Sequence, residues 1–185
     1  MKEIVVFASG SGTNAENLIQ YFEKKTSAKV VAVFTNNENA GVIEKAKNYK
    51  IPVEIFSKSD LVESKVLQKI NKYNPDWIVL AGFLLKFPQN IINLYPNKII
   101  NIHPALLPKY GGKGMYGMYI HQAIVDNKEV ETGITIHYVN ENYDEGAIIF
   151  QQKINLTGLE TAEIVAEKIH QLEQEYFPKV IESLF

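Results

Sequence analysis

Four short runs with almost no polar residue, Ile4–Ala8, Val30–Thr35, Trp77–Ala81 and Ile99–His103, recur along this chain with longer amphipathic or loop-like segments between them. Short Val- and Ile-rich runs bounded by Gly, Asn and Pro read as strands buried on both faces. Such strands are covered by helices lying on both sides of a parallel sheet, so the pattern predicts an α/β, doubly wound fold. At 185 residues the chain has room for one such domain with a full core, and a single domain over 1–185 is expected.

The intervening segments fit that scheme. Ala15–Lys25 puts Leu18, Ile19 and Phe22 on one helical face, and a second helix is expected over about Gly41–Tyr49. Val53–Phe56 reads as a weaker strand. Ser59 or Asp60 is expected to cap a helix running through Val62, Val66, Leu67 and Ile70 to Tyr73. Pro88 starts a short helix to Leu94, and another helix covers about Tyr119–Asp126. Gly133–Val139 alternates, Asn140–Gly146 is turn-like and Ala147–Leu156 is strand-like, which together predict a late antiparallel hairpin on a mostly parallel mixed sheet. Glu160–Leu184 closes the chain as a long helix with Ile164, Val165, Ile169, Leu172, Phe177, Val180 and Ile181 inward, kinked by Pro178.

Composition narrows the function. The net charge is −2 with no basic run, which does not suggest a nucleic-acid partner. There is no cysteine, which removes thiolate nucleophiles and Cys-based zinc sites. All 19 basic residues are lysines, so an anion site must use lysine, backbone N–H groups or a helix N-terminus in place of a guanidinium fork. The chain enters directly on a strand-like run, without a signal sequence or an apolar run of spanning length, so a cytoplasmic protein without a membrane partner is expected.

Chemistry concentrates at Lys98–Gly112. Asn101 and His103 are two apart on an extended run and project together, and Pro104 keeps His103 out of helix. The carboxyl end of a strand is where an open α/β sheet places its ligands. These residues also suit ordinary strand-end hydrogen bonding. Gly10-Ser11-Gly12-Thr13-Asn14-Ala15, between a strand and a helix, matches a loose dinucleotide fingerprint. The acid that would hold a ribose after the second strand is replaced by Asn36-Asn37, so the loop points to an anion more than to NAD. No histidine spacing supports a metal. Asp144 falls in ordinary turn chemistry, His170 reads as a solvated or packed residue, and Glu173 as a surface carboxylate.

Taken together, Ala8–Asn14, Val79–Phe83, Asn101–Pro108 and Tyr143–Gly146 resemble the phosphoribosylglycinamide formyltransferases (glycinamide ribonucleotide transformylases) of the folate-dependent formyltransferase family, in order and over essentially the whole chain. The resemblance implies a Rossmann-like formyltransferase fold and 10-formyltetrahydrofolate as cosubstrate, with no metal. It implies Asn101, His103 and Asp144 as the catalytic set. Gly12, Thr13, Asn14 and Glu173 would bind the phosphate and ribose of phosphoribosylglycinamide. Leu84, Leu85, Lys86 and Phe87 would line the folate pocket together with Asn101, largely through backbone groups, and His121 and His137 would support the site. The protein would act in purine biosynthesis as a monomer or homodimer. Two departures stand out: Gly111–Gly117 lengthens the loop after Leu-Leu-Pro, and the family's arginine near Ser59 is absent, with Lys58 as a conceivable substitute.

In the mechanism so implied, formyl transfer to an amine passes through an oxyanion that Asn101 stabilises, together with His103 where that ring is protonated. Asp144 favours the imidazolium and could accept the amine's proton; the sequence leaves the histidine protonation states open. Formyl-methionyl-tRNA synthesis is disfavoured because those relatives carry a C-terminal RNA-binding domain. Other readings are a formyltetrahydrofolate hydrolase, a sugar-amine N-formyltransferase, a dehydrogenase and a non-catalytic binding module.

Overall fold

A computed structural model describes residues 1–185. Its strands are β1 (Lys2–Phe7), β2 (Ala28–Thr35), β3 (Val53–Ile55), β4 (Trp77–Leu80), β5 (Ile99–His103), β6 (Glu131–Tyr138) and β7 (Ile148–Asn155). Its helices are α1 (Thr13–Glu23), α2 (Val42–Asn48), α3 (Lys58–Val62), α4 (Lys65–Tyr73), α5 (Gln89–Leu94), α6 (Met118–Asp126) and α7 (Ala162–Glu182). The seven strands form one sheet in the order β3-β2-β1-β4-β5-β6-β7. Pairings from β3 to β5 are parallel, whereas β6 joins β5 and β7 joins β6 antiparallel. No helix is long and apolar enough to cross a membrane.

The period of two along β1 feeds two cores. Ile4 and Val6 enter one cluster with Leu18, Phe22, Val165 and Phe177. Val5 and Phe7 enter the other with Val66, Ile70 and Ile91. Phe7 anchors the second cluster, stacking on Phe34 at 4.7 Å and meeting Phe56, Phe83 and Phe87 edge-on. Strand order reverses at β1–β4, so the loops leaving these two strands diverge and open a crevice at their carboxyl ends.

Several elements depart from the sequence reading. The stretch before Tyr73 is two helices, broken at Ser64, which adopts φ 64°. The cap is Ser57, whose Oγ accepts from the Asp60 N–H while the Asp60 carboxylate accepts from the Ser57 N–H; Asp60 belongs to the capping box without being its cap. Val62 ends α3 in solvent, 73% exposed, because that short helix stops before its face turns inward. Pro88 is the cap residue of α5, not its first helical residue. Ile164, in the first turn of α7, is exposed while Val165 beside it is buried. Pro178 lies buried within α7.

Candidate active site

A cavity of about 670 Å³ opens at the carboxyl ends of β1, β4 and β5. The loop after β1 forms one wall: Gly12 caps α1 with φ 75°, a conformation that suits glycine, and a Cβ there would collide with Val42. No side chain caps this helix, so its first N–H groups are left for an anion. Ser9 ties the loop to its neighbours. Its hydroxyl donates to Asn36 Oδ1 (2.6 Å) and accepts from the Leu84 N–H (3.1 Å), and its own N–H donates to the Gly82 carbonyl (3.0 Å). Asn36, at the place where a dinucleotide site would carry an acid, thus braces both loops.

α7 forms the facing wall. Asn14 Nδ2 donates to Glu173 Oε2 (2.9 Å), and Gln174 Nε2 donates to Asn14 Oδ1 (3.0 Å). Glu173 therefore faces the cavity rather than open solvent. His170 stands 3.4 Å from the same Glu173 oxygen and also lines the cavity, a place its sequence context did not suggest. The available signal was its i, i+3 spacing to Glu173 on one helical face. The hydrogen bond to Glu173 raises the His170 pKa above 6.5, against partial burial and the charge of Lys45.

Asn101 and His103 project from β5 onto the same side, and both line the cavity. Asn101 pairs in register with His137 on β6, and its Nδ2 donates to His137 Nε2 (3.0 Å). His137 Nδ1 lies 2.8 Å from the Tyr138 carbonyl, so Nδ1 carries the proton and Nε2 accepts. One Asn101 N–H is thereby engaged and oriented, and the other stays free to point at a ligand. The β6–β7 connection folds back across this face. It brings Asp144 Oδ1 to 3.5 Å from His103 Nδ1 and 3.7 Å from His137 Nε2. Asp144 Oδ2 accepts from the Gly112 N–H at 2.9 Å. The three residues proposed from sequence as the catalytic set thus come together around one point.

Burial sets the ionisation here, which the sequence left open. His103 is almost wholly buried, and burial pushes its pKa below 6.5 in spite of the raising effects of Asp144 and the Tyr110 carbonyl. Burial thus favours the neutral ring near neutral pH, against the pull of the neighbouring carboxylate toward the imidazolium. Its Nε2 faces the Tyr110 carbonyl at 2.8 Å and must donate, which leaves the Nδ1 lone pair toward Asp144. For Asp144, burial works upward, but the His137 and His103 rings in their protonated forms and the Gly112 N–H together outweigh it and hold the carboxyl below 3.8.

Leu84 lines the main cavity, whereas Leu85, Lys86 and Phe87 line a smaller adjoining recess shared with Asn101, His137 and Asp144. The Phe87 ring is buried among the other phenylalanines, so only its backbone is available to a ligand. His121, on α6, lines the main cavity with a buried, unpartnered Nδ1, and burial lowers its pKa. Lys113, Met115 and Tyr116 of the long glycine-rich loop add to the rim. Lys58 opens α3 and lines neither space.

The formyl transferase family profile matches residues 2–181. Phosphoribosylglycinamide formyltransferase of Bacillus subtilis is 34% identical over all of this chain and 95% of its own length. The chloroplastic enzyme of that name from Arabidopsis thaliana is 34% identical over 99% of this chain. The chain spans 65% of the length of that plant relative and 61% of the corresponding one from Vigna unguiculata. The crystal structure of glycinamide ribonucleotide transformylase 1 from Geobacillus kaustophilus superposes with a TM-score of 0.90 at 35% identity, covering 100% of this chain and 98% of that one. With its sheet order, crevice and full-length match, the chain belongs to the formyl transferase family.

Proposed function

We propose that the protein transfers the formyl group of 10-formyltetrahydrofolate to the glycinamide amine of phosphoribosylglycinamide, the substrate named in its relatives. The observation that carries this reading is the meeting of Asn101, His103 and Asp144 between an anion-type loop and a second recess. That layout suits two substrates that meet at one reacting carbon. Gly12, Thr13 and Asn14 at the α1 N-terminus, with Glu173, would hold the phosphate and ribose. His170 supplies cationic character in a chain without arginine. Leu84–Phe87 would seat the pterin by backbone groups.

The residues then divide the proton work. The free Asn101 N–H stabilises the oxyanion formed when the amine nitrogen attacks the formyl carbon. Neutral His103 accepts the amine's proton at Nδ1, and Asp144 stabilises the imidazolium only once it forms. The same proton passes to the folate N10 as the C–N10 bond breaks, so no proton is gained or lost overall. No covalent intermediate on the protein is required.

Incubation with 10-formyltetrahydrofolate, with and without phosphoribosylglycinamide, tests the assignment by folate absorbance and mass of the product. Formylated ribonucleotide appearing only with the acceptor is the expected result. Formate release without acceptor would assign a hydrolase instead, and absence of any turnover would leave a binding protein.

A further inference from the structure

Between β5 and α6, the backbone from Tyr110 to Gly112 touches both groups that handle the proton. The Tyr110 carbonyl accepts from His103 Nε2 at 2.8 Å, and the Gly112 N–H donates to Asp144 Oδ2 at 2.9 Å. Between them the chain passes tightly, since a Cβ on Gly111 would meet Leu107 Cδ2 at 2.6 Å and Asp144 Cβ at 3.3 Å. Tyr110 itself has φ 57°, a left-handed conformation that a non-glycine residue keeps only when its surroundings hold it. Its side chain supplies such a hold: the phenol donates to Glu129 Oε1 at 2.8 Å, and Lys109 Nζ lies 3.0 and 3.2 Å from the two carboxylate oxygens. Glu129 sits on the α6–β6 connection, and neither it nor Tyr110 lines the cavity.

We propose that Glu129, acting through the Tyr110 phenol, is a positioning residue that presses the 110–112 backbone against His103 and Asp144 and so fixes the proton of the neutral imidazole on Nε2. The consequence is chemical as well as steric. With Nε2–H committed to a carbonyl, only Nδ1 is free to accept a proton, and it is the nitrogen that faces Asp144. If the 110–112 backbone drifts, the ring is free to place its proton on Nδ1 beside the carboxylate, and it then loses its basic lone pair on the cavity side.

The inference rests on the formyl-transfer reading for its kinetic half and on tautomer state for a half that needs no substrate. Tyr110→Phe and Glu129→Ala each remove the phenol–carboxylate bond and leave the cavity lining intact. Both are expected to lower kcat about tenfold or more, with KM for either substrate within about twofold. Glu129→Gln keeps an acceptor for the phenol and is expected to recover most of the lost turnover. Histidine-nitrogen NMR of the full chain, with the His103 resonances assigned by their loss in His103→Gln, is expected to show the Nε2–H form in the starting protein and in Glu129→Gln. Tyr110→Phe and Glu129→Ala are expected to give a mixture. An unchanged His103 tautomer in folded Tyr110→Phe overturns the proposal even if the protein proves to have another activity. Equal loss of turnover in Glu129→Gln and Glu129→Ala overturns it as well. If no variant turns over any formyl substrate while the tautomer shifts as stated, the reaction assignment fails and the positioning role stands.

Discussion

The cavity contains two histidine–carboxylate pairs of nearly equal length, and they behave in opposite ways. His103 lies 3.5 Å from Asp144 and has a lowered pKa, whereas His170 lies 3.4 Å from Glu173 and has a raised one. Two things differ: His170 gains a hydrogen bond with Glu173 whereas His103 gains only the charge of Asp144, and the two rings see different amounts of water. The His103 side chain is 4% exposed and that of His170 is 43% exposed, so charging the first ring costs far more hydration than charging the second. A neighbouring carboxylate is therefore not enough to make an imidazolium. Near β5 the pair keeps a basic lone pair in reserve, and near α1 it keeps a proton available for an anion. In the proposed reaction, one motif would serve proton transfer at one end of the cavity and anion binding at the other.

Removing the carboxylate at the buried end should have the larger effect. Asp144→Asn retains the acceptor for the Gly112 N–H but loses the charge that stabilises His103 once it is protonated. The expected outcome is a fall in kcat of about 10²–10⁴-fold, a folded protein with a slightly lower melting transition, since the depressed carboxyl stabilises the fold, and similar KM values. Near-normal turnover in the folded variant would move proton transfer away from this pair.

Most of this site was legible in the sequence because the elements that carry it are local. β5 was read at the bounds the structure shows, and extended geometry alone places Asn101 and His103 on one side. The loop after β1 was equally readable from its glycines. What local pattern alone could not show, including Asp144, which entered only through the family resemblance, depended on long-range packing. Asp144 needed the β6–β7 connection to fold back over β5, His170 needed α7 to lie against α1, and Tyr110 acts through a backbone carbonyl whose direction no side-chain pattern encodes. The protonation of His103 stayed open because a sequence shows the carboxylate but not the burial. Local chemistry misled as well at Ser57, where two nearby hydroxyl- or carboxylate-bearing residues offered equally plausible caps.

The pH profile sharpens the contrast between the two pairs. With His103 lowered below 6.5 and Asp144 below 3.8, both groups are in their proton-accepting forms at neutral pH. In the proposed mechanism turnover needs the neutral imidazole, which is lost as pH falls through the His103 pKa. With phosphoribosylglycinamide saturating and the folate varied, kcat/KM should stay level through neutral pH, bend below 6.5 and then drop about tenfold per unit. A limb bending above 6.5 would mean that burial does not govern His103 and that the imidazolium is present at rest.

The open pair should produce the smallest effect, and with the opposite sign. Glu173 on the same helix raises the His170 pKa, Lys45 of α2 lowers it, and Lys45 is itself held by Glu16 of α1. His170 is therefore protonated below its raised value and loses its charge above it, so anion binding should weaken as pH rises. His170→Gln removes the charge at every pH. Solvent screening of a half-exposed partner limits the expected rise in KM for phosphoribosylglycinamide to about two- to fivefold near neutral pH, with kcat unchanged. The gap between variant and wild type should close at pH well above the raised value, because the wild-type ring is then neutral too. His170→Lys should instead keep the low KM across that range. A constant ratio of the KM values of His170→Gln and wild type at all pH would show that the ring acts by its shape and that its charge plays no part in holding the phosphate.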